Sequence, residues 1–121
     1  MYEIESEGIL KVTQQALSYL EIEKGYPLLI NFDLDSVDPR HAPGTSHKCR
    51  GGLSYRETKS IIRKAQQTGN LVSLDVMEYD PIFDTDRGHY QGDIENIERT
   101  VGKTGYLAVE MMLTALGYTD I

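Results

Sequence analysis

Apolar residues recur at helical spacing from Ser6 to about Lys24, where Ile9, Leu10, Ala16, Leu17 and Leu20 share a stripe and Gly25 and Pro27 follow as stop signals. This predicts a first helix. The run from Leu28 to Leu34 is short and nearly continuously apolar, the pattern of a strand buried on both faces of a parallel sheet. Ser36 to Gly52 has no periodicity and collects Pro39, Pro43, His41, His47, Cys49, Gly44, Gly51 and Gly52, so it reads as a long functional loop. Ser54-Tyr55-Arg56-Glu57 fits a capping box, in which the Ser hydroxyl and the Glu carboxylate satisfy free N–H groups at a helix start. Ile61, Ile62 and Ala65 supply that second helix with its apolar stripe, and Gly69 ends it. Leu71 to Met77 repeats the strand pattern, with Glu78 at its exit. A polar loop from Tyr79 to Gly92 follows. The last helix is expected to begin at Asp93 and to run to a stop at Gly117, with Gly102 and Gly105 weakening its middle.

The order helix, strand, helix, strand, helix is a βαβ unit with flanking helices, hence a piece of parallel α/β sheet. Sheets of this kind carry about five or six strands under helices on both faces. Only two strands are legible, so the chain reads as one continuous unit, residues 1–121, at the end of a larger α/β domain. Two strands alone would leave apolar edges without cover.

Length and composition narrow the function classes. At 121 residues, 40% hydrophobic and 26% charged, the chain has room for about one core and lies far from disordered compositions. A net charge of −7 concentrates no positive field, which argues against nucleic-acid and anionic-membrane partners. No apolar stretch approaches the ~20 residues that span a bilayer. The acidic start MYEIESEG is unlike a secretory signal, and the lone Cys49 suits a reducing compartment, so a cytoplasmic location is expected.

Asp33 and Asp35 carry the most specific chemistry. At positions i and i+2 of a strand they face one side with Cα atoms about 6.6 Å apart, at the carboxyl end where open α/β sheets bind ligands. Two carboxylates there suit hard ions such as Mg, Mn or Ca. Asp33 also closes an apolar run, where an unpaired carboxylate is costly. Glu78 ends strand two as Asp35 ends strand one, so in neighbouring strands both open onto one crevice, where Glu78 can accept charge-assisted hydrogen bonds from a guanidinium or ammonium. Asp38-Pro39 reads as a turn. His41, His47 and His89 lie in loops and none is singled out as a ligand; Cys49 reads as an inert thiol. Gly51 and Gly52 precede a helix, but no phosphate-loop motif accompanies them.

Taken together, NFDLDSVDPRHAPGT, RGGLSYRE and LVSLDVMEYDP resemble the carboxyl-terminal half of the ureohydrolase family, arginases most closely, from about Leu28 onward. The Tyr-Arg-Glu after GGLS is more like arginase than agmatinase. The resemblance implies a three-layer α/β/α fold with a parallel, helix-covered sheet, of which this chain holds two strands and three helices. It implies hydrolysis of L-arginine to ornithine and urea at a binuclear manganese cluster, with Asp33 and Asp35 as metal ligands and Glu78 holding the substrate guanidinium. It further implies a homo-oligomer, a trimer, with Arg56 and Glu57 near its interface.

Two departures accompany the resemblance. Ser46-His47-Lys48 stand where the family has Gly-Thr-Pro, and the histidine and DxHxD motifs that supply the remaining ligands and the proton-shuttling histidine have no counterpart here. The chain by itself is therefore expected to be inactive, with no catalytic residue of its own. The alternatives are an inactive remnant that serves as an oligomerisation or regulatory module, and an agmatinase-type hydrolase. A haloacid-dehalogenase-type phosphotransferase also ends a strand in DxD, but Ser36-Val37 stand where that family requires Gly-Thr.

Overall fold

The first helical stripe is divided in the computed structural model, which describes residues 2–84 and 102–119. Gly8, at φ 83°, separates α1 (Tyr2–Glu7) from α2 (Ile9–Tyr19), and a 3-10 turn over Ile22–Lys24 follows. The expected single helix from Ser6 to Lys24 is thus corrected to two helices and a turn. A side chain resists positive φ and glycine does not, so the chain changes direction there without strain. The other elements are β1 (Leu28–Asp33), α3 (Tyr55–Gln67), β2 (Leu71–Met77) and α4 (Lys103–Ala115). Four α-helices therefore stand among the described residues where three were expected. α3 begins directly after Ser54 with Glu57 at its third position, the placement a capping box requires.

β1 and β2 pair as a two-stranded parallel sheet, with α3 as the crossover. The chain gathers into two compact units, one from Met1–Ile30, Arg56–Leu74 and Met111–Ile121, the other from Asn31–Tyr55 and Asp75–Glu110. In the first, Leu17 of α2, Ile22, Leu28 of β1 and Ala65 of α3 form a buried cluster against which Ile30 and Leu71 pack. Asn70 closes it by donating its side-chain amide to the Ile22 carbonyl at 2.8 Å, while the Leu28 N–H donates to the Asn70 carbonyl at 2.8 Å. In the second, Leu34, Val37, Ala42 and Leu107 are buried together with Thr45, Thr104 and Asp84.

Neither strand is buried on both faces as its composition predicts. Burial alternates along β1, with Leu28 and Phe32 buried and Leu29 65% exposed, and Val72 of β2 is 66% exposed. The physical reason is that α2 and α3 supply apolar partners for the side bearing Leu28, Ile30 and Leu71, and a strand's neighbouring side chains point the opposite way. α4 also differs from expectation. Gly102 lies outside the helix, directly before Lys103, so it borders the first turn and does not weaken a middle. His89 and the Asp93 to Val101 portion of the expected helix lie outside the described residues.

Uncovered Leu29 and Val72 have a measurable consequence. The 121-residue chain should self-associate, and Leu29→Thr with Val72→Thr should shift sedimentation toward monomer, because apolar strand faces and edges seek cover. A strictly monomeric wild-type chain with a cooperative thermal transition would contradict this.

Candidate metal and substrate site

The site begins where β1 stops. Leu34 is fully buried and opens a 3-10 turn, Leu34–Ser36, in which the Val37 N–H donates to the Leu34 carbonyl at 3.2 Å and the Ser36 hydroxyl donates to the Asp33 carbonyl at 2.6 Å. The strand accordingly ends at Asp33, one residue earlier than the apolar run implies. Asp33 remains on the strand and Asp35 sits in the turn, so the alternation that would place both on one side does not extend to Asp35.

The long loop is closed at its base and is not extended. Val37 and Leu53 form a parallel bridge, with the Asp38 N–H donating to the Leu53 carbonyl and the Leu53 N–H to the Ser36 carbonyl, both at 2.9 Å. Gly52 lies so close that a Cβ there would stand 2.7 Å from the Asp38 nitrogen and the Ser36 oxygen. Asp38, 5% exposed, organises the interior as the Asp-Pro turn reading predicts. Its carbonyl accepts the His41 N–H, Oδ1 accepts the Arg40 backbone N–H at 3.0 Å and Nε at 2.8 Å, and Oδ2 accepts the Gly51 N–H at 2.9 Å. The Arg40 side chain, followed by these backbone donors, holds the Asp38 carboxyl at about 2, below its ordinary 3.8.

A second carboxylate, which the sequence pattern did not single out, anchors the other end of the loop. Asp84 is 1% exposed and accepts the Thr104 and Gly105 N–H groups, both at 3.0 Å, and the Tyr79 hydroxyl at 3.1 Å. It thereby caps α4 from a distant stretch of chain, where the helix dipole favours an anion. Thr104 is also fully buried, and its hydroxyl accepts the Gly44 N–H at 2.7 Å. A Cβ on Gly44 would stand 2.7 Å from Asp84 Cβ, and one on Gly102 would collide with the Asp84 carboxyl group. The Gly44 carbonyl then accepts the Asp80 N–H at 2.8 Å, tying the loop to the exit of β2.

That exit carries Glu78, exposed and at φ 66°, a backbone region costing a non-glycine residue ~1–2 kcal/mol. The result is a triad: Asp35, His47 and Glu78 each offer a ligand atom within 4.8 Å of the others. Asp35 and Glu78, read from sequence as facing one crevice, do come together. Asp33 is not in this group. His47, in sequence one loop histidine among three, is in it. The signal that marks it is its place inside the Ser46-His47-Lys48 departure. His41 lies elsewhere, lining a 290 Å³ cavity with Tyr55, Lys103, Leu107 and Glu110. Two carboxylates and an imidazole fit a divalent ion in charge and donor type.

Comparison with known proteins gives the family. The chain matches the model of the Arginase family over residues 1–117. It is 37% identical to an arginase of Plasmodium berghei over 117 residues, covering 97% of this chain and 33% of that protein. It is 43% identical to arginase-1 of Sus scrofa over 81 residues, covering 67% of this chain and 25% of that one. A crystal structure of arginase from Bacillus subtilis superposes with a TM-score of 0.77 at 29% identity, covering 99% of this chain and 37% of the other. The chain belongs to the arginase family and has its α/β fold. It spans about a third of the length of the first of these relatives and matches within their carboxyl-terminal half. The family match reaches back through α1 and α2, beyond the Leu28 limit visible in the motifs, because an amphipathic stripe carries no family-specific residue.

Two carboxylates here have separable effects. For Asp38 the native carboxyl titrates at about 2 and the unfolded one near 3.8, so its contribution is complete above about 4 and is lost as pH falls toward 2. The protection of the Gly51 amide against exchange, followed by NMR relative to the intrinsic rate at the same pH, should fall over that window in wild type and be low at every pH in Asp38→Ala. Asp84→Ala should lower stability by about 2–3 kcal/mol in urea unfolding, since it strands two buried N–H donors.

Proposed function

We propose that this chain is the carboxyl-terminal part, residues 1–121, of an arginase-like α/β domain that hydrolyses L-arginine to ornithine and urea. The observation that carries the proposal is the approach of Asp35 and Glu78, at the carboxyl ends of neighbouring strands, to within 4.8 Å. Asp33 and Asp35 would hold manganese of a binuclear cluster, whose other ligands come from a part of the domain other than these residues. Manganese supplies a lowered water pKa and positive charge against the charge that develops at the guanidinium carbon. Glu78 is the substrate residue: its carboxylate accepts paired N–H bonds from the guanidinium and fixes the planar group. Membership of the arginase family and the likeness to a solved arginase support hydrolase chemistry of this kind. No helix among the described residues is long and apolar enough to cross a membrane. We place the enzyme in the cytoplasm, as a homo-oligomer, acting in arginine metabolism.

Uncovered Leu29 and Val72 favour a second reading, a catalytically inactive oligomerisation or regulatory module. Co-purification with a longer arginase-family partner, without gain of activity, would select it.

The test joins this chain to the portion its relatives carry ahead of it. Glu78→Gln should then lose about 2–4 kcal/mol of transition-state stabilisation, a fall of roughly 30-fold to 1000-fold in kcat/KM, with manganese content unchanged. Asp35→Ala should lose manganese and activity together. Near-normal arginine hydrolysis with manganese lost from Glu78→Gln would show the assigned roles to be wrong.

A further inference from the structure

We propose that Asp35, His47 and Glu78 form a site for one zinc-type divalent ion, overlapping the Asp33–Asp35 pair only through Asp35. The three residues come from the turn after β1, the closed loop and the exit of β2, yet their ligand atoms lie within 4.8 Å of one another. An ion bound at about 2.0–2.2 Å to nitrogen and oxygen bridges ligands up to ~4.2 Å apart, so small rotations close the set. His47 and Glu78 are exposed and Asp35 half-buried, which leaves room for those rotations and a path for the ion.

Donor chemistry selects the class of ion. Two carboxylates with one imidazole match zinc, cobalt or nickel better than the all-oxygen preference of magnesium or calcium, and they balance a double positive charge. Three protein ligands also leave a fourth position for water. The Ser46 hydroxyl lies 3.3 Å from His47 Nδ1, a contact of the kind that leaves the second ring nitrogen available to an ion. Backbone support is present as well. The Thr45 hydroxyl donates to the His47 carbonyl at 2.8 Å, and the Lys48 ammonium donates to the Thr45 carbonyl at 3.0 Å while lying 5.0 Å from the Phe83 ring centre. His47, within the stretch that departs from the family pattern, thus supplies one side of the site.

One consequence rests on the role proposed for Glu78: an ion on this triad withdraws that carboxylate from a guanidinium, so zinc and substrate would compete in the joined enzyme. Ion binding itself does not depend on that role and is tested on the 121-residue chain. Zinc chloride is titrated calorimetrically, and cobalt(II) absorption reports coordination. Wild type should take up one zinc. His47→Ala and His47→Gln should each weaken it at least about 10-fold, the lower bound for losing even an outer partner of a ligand. The exposed His47 side chain makes substitution compatible with the fold, which circular dichroism checks. Asp33→Asn should leave zinc binding intact. Unchanged binding in both His47 variants, or no binding by wild type, overturns the site. Loss in Asp33→Asn but not in the His47 variants also overturns it and moves the ion to the Asp33–Asp35 pair, leaving the proposed function standing.

Discussion

The buried carboxylate of Asp84 is the interaction on which the candidate site's geometry depends. It accepts two N–H groups at the start of α4 and the Tyr79 hydroxyl. A buried anion is costly unless such donors surround it. Once it is in place, Thr104 presents its hydroxyl to the Gly44 N–H, and Gly44 in turn receives Asp80. The chain therefore holds the helix start, the long loop and the exit of β2 in one register. His47 lies three residues beyond Gly44, and Glu78 lies two before Asp80. Glycine at positions 44 and 102 follows from the same constraint, because the carboxyl group occupies the space a side chain would need.

The other end of the loop has a similar design with a different partner. Asp38 gathers backbone donors from both arms of the loop and a guanidinium from Arg40, whose side chain is 81% exposed. The exposed ion pair contributes little by itself, as surface pairs do. What distinguishes Asp38 is the backbone it satisfies, for the N–H groups of Arg40 and Gly51 have the Asp38 carboxylate as their acceptor. Between the two anchors the polypeptide exposes Ser46, His47 and Lys48, the stretch in which this chain departs from its family.

Family membership is legible in the sequence, since the DxD segment, GGLSYRE and the strand ending in Met-Glu are short, ordered and rigidly spaced. β2 has the bounds its pattern predicts, because Gly69 and the Glu78 exit bracket an apolar run. The sequence predicts one first helix where the structure has two, because Ile9, Leu10 and Leu17 give the same periodicity whether or not Gly8 interrupts the chain. β1 ends one residue before its apolar run does, since Leu34 is as apolar as the strand before it. Its burial comes from a 3-10 turn that only the Val37 and Ser36 hydrogen bonds reveal.

Asp84 and His47 show where reading along the chain stops. Asp84 caps a helix 20 residues away, and His47 meets Asp35 and Glu78 across gaps of 12 and 31 residues. The sequence by itself determined the element types, the family and two of the three residues that converge, because periodicity, capping and motif spacing are local properties. Tertiary structure alone decided the third member of the triad, the separation of Asp33 from it and the cover of one sheet face only. Those depend on which distant backbone donors and apolar faces meet, and one-dimensional order does not encode such meetings residue by residue.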